Sequence, residues 1–356
     1  LGKKKKSSKQ LAVFWAILPI FFLYFIAFFA DFIAPYSPNK AFNPRISYST
    51  PVSLRFSLRD NLYFYFHPRK IKINRTKLNR EFLEEQKVFC KLAFFQEAEE
   101  YKFLGLFKTN LHLLGVESKE ELCQNSFNLL GTDNLGRDLF SRLLFSLRPS
   151  LYAAILGILF SFPVGVFYGA FAGWQNKELS ELMMRIVEVI LSLPSFYLLV
   201  ILAGLLPANI DNKQRFFMIT IILSLISWAA LSRVVRNQVL SVKKKEFVEI
   251  SQTIGKPDWK ILIQDIIPQL SSYLIITITI SFPGYILGET ALSFLGLGIN
   301  QPDPSLGNIL FEGKKISNLF LRPWIIFLPG FVLVTLTWSC HNLGDKLRDL
   351  FDVKVT

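Results

Sequence analysis

Reactive chemistry has few places to reside in this chain. His67, His112 and His341 are scattered, as are Cys90, Cys123 and Cys340, so no CxxC pair or histidine cluster offers a metal site. No G-x-x-x-x-G-K-[ST] occurs, so the chain has no P-loop of its own, and neither G-x-S-x-G nor H-E-x-x-H is present. Two sets of charges remain. Asp133, Arg137, Asp138 and Arg142 fall within GTDNLGRDLFSR at 131–142, which reads as a charge-paired turn rather than a reactive site. Glu188 and Glu289 lie inside apolar runs, where a carboxylate is costly unless it faces protein or a water-filled path. Each either lines such a path or bridges helices, and the sequence leaves both open.

The most informative segment is Glu246–Gln269, EFVEISQTIGKPDWKILIQDIIPQ, a polar passage between two long apolar runs. Its pattern predicts a helix, a turn at Gly255 and a second helix opening at Pro257-Asp258. Proline suits a first helical position there, and aspartate suits the positive helix end. Pro268 marks the entry to the next apolar run. Phe247, Ile250, Ser251 and Ile254 line one side of the first helix, and Trp259, Leu262, Ile263 and Ile266 line the second. A solvated basic linker needs neither hinge nor apolar stripe, so the segment predicts a compact knob that docks a partner.

These groups are set among elements of one dominant kind. Hydrophobic residues make up 51% of the 356, with 35 Phe, and they are clumped into runs long enough to cross hydrocarbon as helices. Six runs qualify: Leu11–Ala34, Ser150–Trp174, Ile186–Leu206, Phe216–Leu231, Ser271–Gly298 and Trp324–Cys340. Pro163, Pro194 and Pro283 mark kinks or helix ends, and Gly284, Gly288, Gly296 and Gly298 permit close helix approach. The formal charge of +13 flanks the runs rather than forming a nucleic-acid patch. Lys3, Lys4, Lys5, Lys6 and Lys9 precede the first run, and Arg233, Arg236, Lys243, Lys244 and Lys245 follow the fourth. Both clusters belong on the cytoplasmic side, an even number of crossings apart, which puts both termini inside and residues 35–149 outside. Lys243–Lys245 reads as a contact with anionic lipid headgroups, with contact to a partner subunit as the alternative. The first run exceeds a signal-peptide core and lacks a clear A-x-A site, so an uncleaved span is expected.

Residues 35–149 read as an insertion forming a small α+β cap or a set of interface loops. Pro35, Pro38, Pro44 and Pro51 predict extended chain, and Asn61–His67 a strand. Glu81–Phe103 is rich in helix formers, with Phe82/Leu83, Val88/Phe89 and Phe94/Phe95 near helical spacing, so a helix is predicted there. Asn74-Arg75-Thr76 fits a glycosylation sequon. Cys90 and Cys123 are either a disulfide or two free thiols. Gly131 and Gly136 flank a turn, after which Asp138 is placed to cap an amphipathic lead-in helix with Leu139, Leu143 and Leu147 on one face.

Glu249, Gly255 and Pro268 stand in the register of the EAA loop, and the segment resembles the coupling helix of ABC-importer permeases. Ile250 and Ser251 replace its two alanines, Asp265 stands where histidine is common, and Ile267 replaces leucine. GTDNLGRDLFSR resembles the G-T-D-x-x-G-R-D-x-x-S-R signature of the dipeptide/oligopeptide/nickel branch. ETALSFLGLG at 289–298, QPDPSLGNIL at 301–310 and the tail 328–352, with LPG, NLGDKLRD and FD, are similar to further blocks of that branch, although Leu306 stands where tryptophan is usual.

The chain thus resembles a C-type permease subunit. The resemblance implies an all-α polytopic membrane protein of the type I ABC importer permease kind. It would have six transmembrane helices and a large extracytoplasmic α+β insertion between the first and second. Residues 1–10 would be a basic cytoplasmic arm, 11–34 the first span, 150–342 the permease core with a coupling loop at 240–268, and 343–356 a cytoplasmic tail. The loop residues Phe247, Glu249, Ile250, Ser251, Thr253, Ile254, Gly255, Asp258 and Pro268 would meet an ATPase, and Gly131, Thr132, Asp133, Gly136, Arg137, Asp138 and Arg142 would be structural. Implied partners are a second homologous permease subunit, two ABC ATPase subunits that hold ATP and Mg, an extracytoplasmic solute-binding protein, a peptide or peptide-like solute and membrane lipid, with no nucleic acid. No cofactor is expected in this chain, which has no ATPase site of its own. The expected location is the bacterial inner membrane. The rival reading is a membrane receptor or scaffold with a cytoplasmic docking loop. Oligopeptides, dipeptides, nickel chelates and modified peptides all stay open as the solute.

Overall fold

The computed structural model describes residues 2–41, 46–57, 63–74, 79–103, 107–118, 120–207 and 209–351. In chain order the elements are α1 (Gly2–Phe28), α2 (Ala30–Ile33), β1 (Arg55–Ser57), β2 (Tyr63–Phe66), β3 (Arg69–Asn74), β4 (Asn79–Glu84), β5 (Cys90–Phe103), β6 (Phe107–Val116) and α3 (Glu121–Ser126). There follow α4 (Leu139–Trp174), α5 (Lys177–Ser192), α6 (Ser195–Gly204), α7 (Asn212–Val242), α8 (Glu246–Thr253), α9 (Asp258–Lys260), a π-helical stretch Ile261–Ile266 and α10 (Ile267–Gln269). The chain closes with α11 (Ser271–Phe294), α12 (Leu306–Gly313), α13 (Ile316–Leu321) and α14 (Trp324–Phe351). Parts of the sequon and of the closing FD lie outside the described residues, as do Asn61 and Leu62 of the predicted strand.

The chain divides into two units. One comprises Leu1–Phe21, Ser150–Gly298 and Leu333–Thr356; the other comprises Phe22–Pro149 and Ile299–Val332. In the first, α4 and α7 meet along Gly165, Gly169 and Gly173, one turn apart. A Cβ on Gly169 would stand 2.4 Å from the Ser232 carbonyl oxygen, so only glycine admits this approach. Gly288 likewise faces Leu223, whereas Gly284 and Gly296 meet nothing within 4 Å and do not serve the predicted close approach. Pro163 sits inside unbroken helix, but Leu193-Pro194 separates α5 from α6, which are bent by 77°. The third run is therefore a broken pair, with the break at the predicted Pro194, which cannot donate to the ladder of α5. Among the described residues five helices are long and apolar enough to cross a membrane, or six if the bent pair is one span. Their ends also move: α4 begins at Leu139 with no separate lead-in helix, and α11 stops at Phe294, before Gly296 and Gly298.

In the second unit, β1, β2, β5 and β6 form an antiparallel four-stranded sheet in that order, and β3 pairs with β4. This overturns the helix predicted over Glu81–Phe103, which is β4, a turn and β5. Apolar pairs six residues apart rotate around a helix but keep one face of a strand, and cross-strand pairing with β2 and β6 holds the strand. Cys90 and Cys123 form a disulfide beside buried Phe66, Phe127 and Tyr36.

Candidate functional site

The knob is built as two short helical arms on one buried face. Val248 of α8 and Ile261, Leu262 and Ile266 beyond the turn are buried against Val166, Ala170 and Trp174 of α4 and Leu231, Val235, Val239 and Val242 of α7. Phe247, predicted to face a partner, packs against this same core. Lys243 anchors the entry by donating to the Trp174 carbonyl, its Nζ 4.8 Å from the indole centroid, which corrects its assignment to lipid headgroups.

Helix α8 ends in a Schellman motif. The Lys256 amide donates to Ser251 O at 3.1 Å and the Gly255 amide to Gln252 O at 2.9 Å, with Gly255 at φ +75°. Pro257 stands one place earlier than predicted, as the cap rather than the first residue of α9. The π-helical turn then precedes Pro268, whose ring and missing amide exclude the regular bond to the carbonyl four residues back. Across the turn Lys256 Nζ donates to both carboxylate oxygens of Asp265 at 2.8 Å, and Ser251 Oγ donates to Asp265 at 3.2 Å. The pairing of Lys256 with Asp265 is not signalled by the sequence, because both lie beyond Gly255 and nine residues apart, a spacing that does not bring them together on a regular helix.

With the other face buried, the outer face presents Ile250, Ile254, Trp259 and Ile263, which are 61%, 73%, 58% and 47% exposed. Glu249, Thr253, Gly255, Asp258 and Pro268 share that exposure, while Ser251 is turned inward to Asp265. A rigid apolar patch around an aromatic, rimmed by polar side chains, has the make-up of a protein-binding surface.

The 131–142 residues come together as a buried knot. Asp133 Oδ1 accepts from the Leu135 and Arg137 amides at 2.9 Å, and Oδ2 accepts from Arg137 Nε at 2.7 Å with Arg142 Nε at 3.4 Å. Arg142 donates on to the Pro38 and Pro302 carbonyls and to Gln301 Oε1, each at 3.0 Å. Thr132 Oγ1 donates to Ile46 O at 2.6 Å, and Gly131 and Gly136 both take positive φ. Asp138 caps α4 by accepting from the Ser141 amide and hydroxyl at 2.7 Å. Burial pushes the Asp138 carboxyl up to about 7, against the lowering effect of the Ser141 bonds. The arrangement ties three distant segments and has no reacting atom open to solvent.

Glu289 is buried on α11 and accepts from Ser150 Oγ of α4 at 2.7 Å and from Ser293 Oγ at 2.8 Å, a helix-bridging geometry. Glu188 lies on an exposed face of α5, 3.9 Å from Arg233 of α7. The structure does not bring the two glutamates together.

Mostly helical architecture with several apolar spans and a polar-rimmed apolar knob defines a multi-pass membrane protein with a docking surface. The family model described as "Binding-protein-dependent transport system inner membrane component" matches residues 165–355, more than half of the chain. The chain belongs to this family. It is 38% identical over 229 residues to the oligopeptide transport system permease protein OppC of Haemophilus influenzae, covering 64% of this chain and 71% of that one. It is 35% identical over 228 residues to the dipeptide transport system permease protein DppC of Lactococcus lactis, covering 64% of each. Among solved structures, the MetNI methionine ABC transporter in an inward facing conformation matches with a TM-score of 0.46 and 20% identity, over 60% of this chain and 95% of that chain.

Proposed function

We propose that this chain is the membrane-embedded permease subunit of an ATP-driven importer for peptides or peptide-like solutes. It forms half of the translocation pathway and couples to an ATPase subunit through the 246–269 knob. The observation that carries the reading is the clamped knob with Ile250, Ile254, Trp259 and Ile263 exposed on a fixed base. The names of the relatives supply the solute class.

In this reading the other half is a second homologous permease, and two ABC ATPase subunits hold ATP and Mg. Closure of the ATPase pair pulls the knob, and because its inner face is packed on α4 and α7, the pull is transmitted to the spans. Both termini are cytoplasmic. The sheet-bearing insertion is extracytoplasmic, where it meets a solute-binding protein; its Cys90–Cys123 disulfide suits an oxidising compartment.

The test is co-purification with the ATPase, comparing wild type, Gly255→Pro and Trp259→Ala. The reading requires loss of the ATPase in both variants. Full retention sinks it, and capture of a kinase or regulator instead supports a receptor or scaffold.

A further inference from the structure

We propose that the end of the β5–β6 hairpin is a membrane anchor, with Phe103 and Phe107 seated among acyl chains and Lys102 and Lys108 among the phosphates of the leaflet where α1 ends. The hairpin runs down the outer end of that helix. His112 Nδ1 donates to Ala34 O at 2.6 Å, the Phe95 ring lies 6.1 Å from Phe32, and the Phe103 ring lies 5.8 Å from Phe29. The first apolar span is Leu11–Phe28, so Phe103 reaches the level where it ends. Polar groups mark that level: Arg148 pairs with Asp31 at 2.6 Å and donates to Ala27 O at 2.7 Å.

The hairpin changes character along its length. Glu97, Glu99 and Glu100 occupy its middle, whereas its last two rungs are Lys102↔Lys108 and Phe103↔Phe107, with no acidic residue. Phe107 is 69% exposed. Like charges facing each other across strands repel in water, a cost that a layer of anionic phosphates removes. The apolar surface is also continuous with one that faces lipid. Phe29 stacks 4.5 Å from Phe25 and 5.1 Å from Phe28, and the exposed Phe22, Phe25 and Phe28 carry it down the span. Phenylalanine rings settle at the acyl boundary while flanking lysines extend to the headgroups. The inference needs only that α1 crosses the membrane; it is independent of the solute and of ATPase docking.

The experiment places a single spin label at Phe107→Cys or Glu97→Cys, in the full chain carrying Cys340→Ser, in nanodiscs of phosphatidylethanolamine and phosphatidylglycerol. Collision with oxygen is compared with collision with a water-soluble nickel chelate. The label at 107 is expected to favour oxygen and the label at 97 the chelate. Equal chelate access at both positions overturns the anchor, and so does protection of 107 from both reagents, which means protein covers it. With Lys102→Glu and Lys108→Glu added, the 107 label is expected to shift toward the chelate in these discs and not in phosphatidylcholine discs. An equal shift in both overturns the phosphate contact.

Discussion

Lys256, next to Gly255 in the turn, donates to both carboxylate oxygens of Asp265 on the second arm at 2.8 Å. With Ser251 of α8 donating to the same carboxylate, the pair fixes the angle between the two arms of the knob. The Lys256 hydrogen bonds hold the Asp265 carboxyl below the usual carboxylate range, against a smaller opposing effect of desolvation. A depressed carboxyl contributes stability that is present above its unfolded pKa and is lost as pH falls through its folded one, so the clamp holds at every pH above the ordinary carboxylate range. Asp265→Asn keeps the shape and loses the charge. It is expected to reduce solute uptake per ATP hydrolysed in proteoliposomes while the assembled complex still purifies, and Lys256→Asp with Asp265→Lys is expected to restore part of the loss.

Trp259 is 58% exposed and contributes nothing to the buried face, so its truncation tests docking without disturbing the fold. Removal of an aromatic anchor from the centre of an interface costs about 2 kcal/mol or more. Trp259→Ala is therefore expected to weaken ATPase binding by about 30-fold or more, with the melting temperature of the isolated chain unchanged. Titration of labelled ATPase against the solubilised subunit reads the first, and a thermal melt of the isolated subunit reads the second.

Much of the knob could be read from residue order because its signals are local. A glycine at a helix end and a proline before an aspartate specify the turn and the two arms within a few residues. The division of Phe247 and Leu262 to the base and Ile250 and Ile254 to the outer face was out of reach, since it depends on where α4 and α7 lie. The insertion failed for the same reason. Glu81–Phe103 carries helix-forming side chains, yet β5 is stabilised by partners at residues 65–66 and 107–116 that no local period reveals. The buried knot at 131–142 was placed as structural from charge alternation alone, but its ties to Pro38, Gln301 and Pro302 cross more than a hundred residues.

Asp138 supplies a pH signature. Its carboxyl is raised from 3.8 to about 7, by burial first, with Asp133 adding to the rise, and its Oδ1 has no hydrogen-bond partner. The folded chain therefore binds a proton that the unfolded chain has released, and stability falls as pH rises from about 4 to about 7. Asp138→Asn keeps the cap and removes the titration. The variant is expected to gain stability relative to wild type across that interval, with little difference below it. Melting curves of the two proteins at matched pH values check the sign; a gap that stays constant with pH excludes Asp138 as the source.

The Cys90–Cys123 bond closes a loop of 33 residues around a core of Phe66, Phe127 and Tyr36. Loop-closure entropy for that length amounts to about 3.5 kcal/mol of stabilisation. Replacing both cysteines by serine is expected to melt the sheet-bearing unit at lower temperature and leave ATPase docking intact, because the knob belongs to the other unit. Hydrogen exchange resolves the two effects, with faster exchange in β5 and β6 and none added in α8. Orientation is read at an exposed position of the same sheet. An impermeant maleimide added outside intact spheroplasts is expected to label a Glu97→Cys variant and to spare buried Cys340. Labelling that appears only after lysis places the insertion on the cytoplasmic side and reverses the topology proposed for every span.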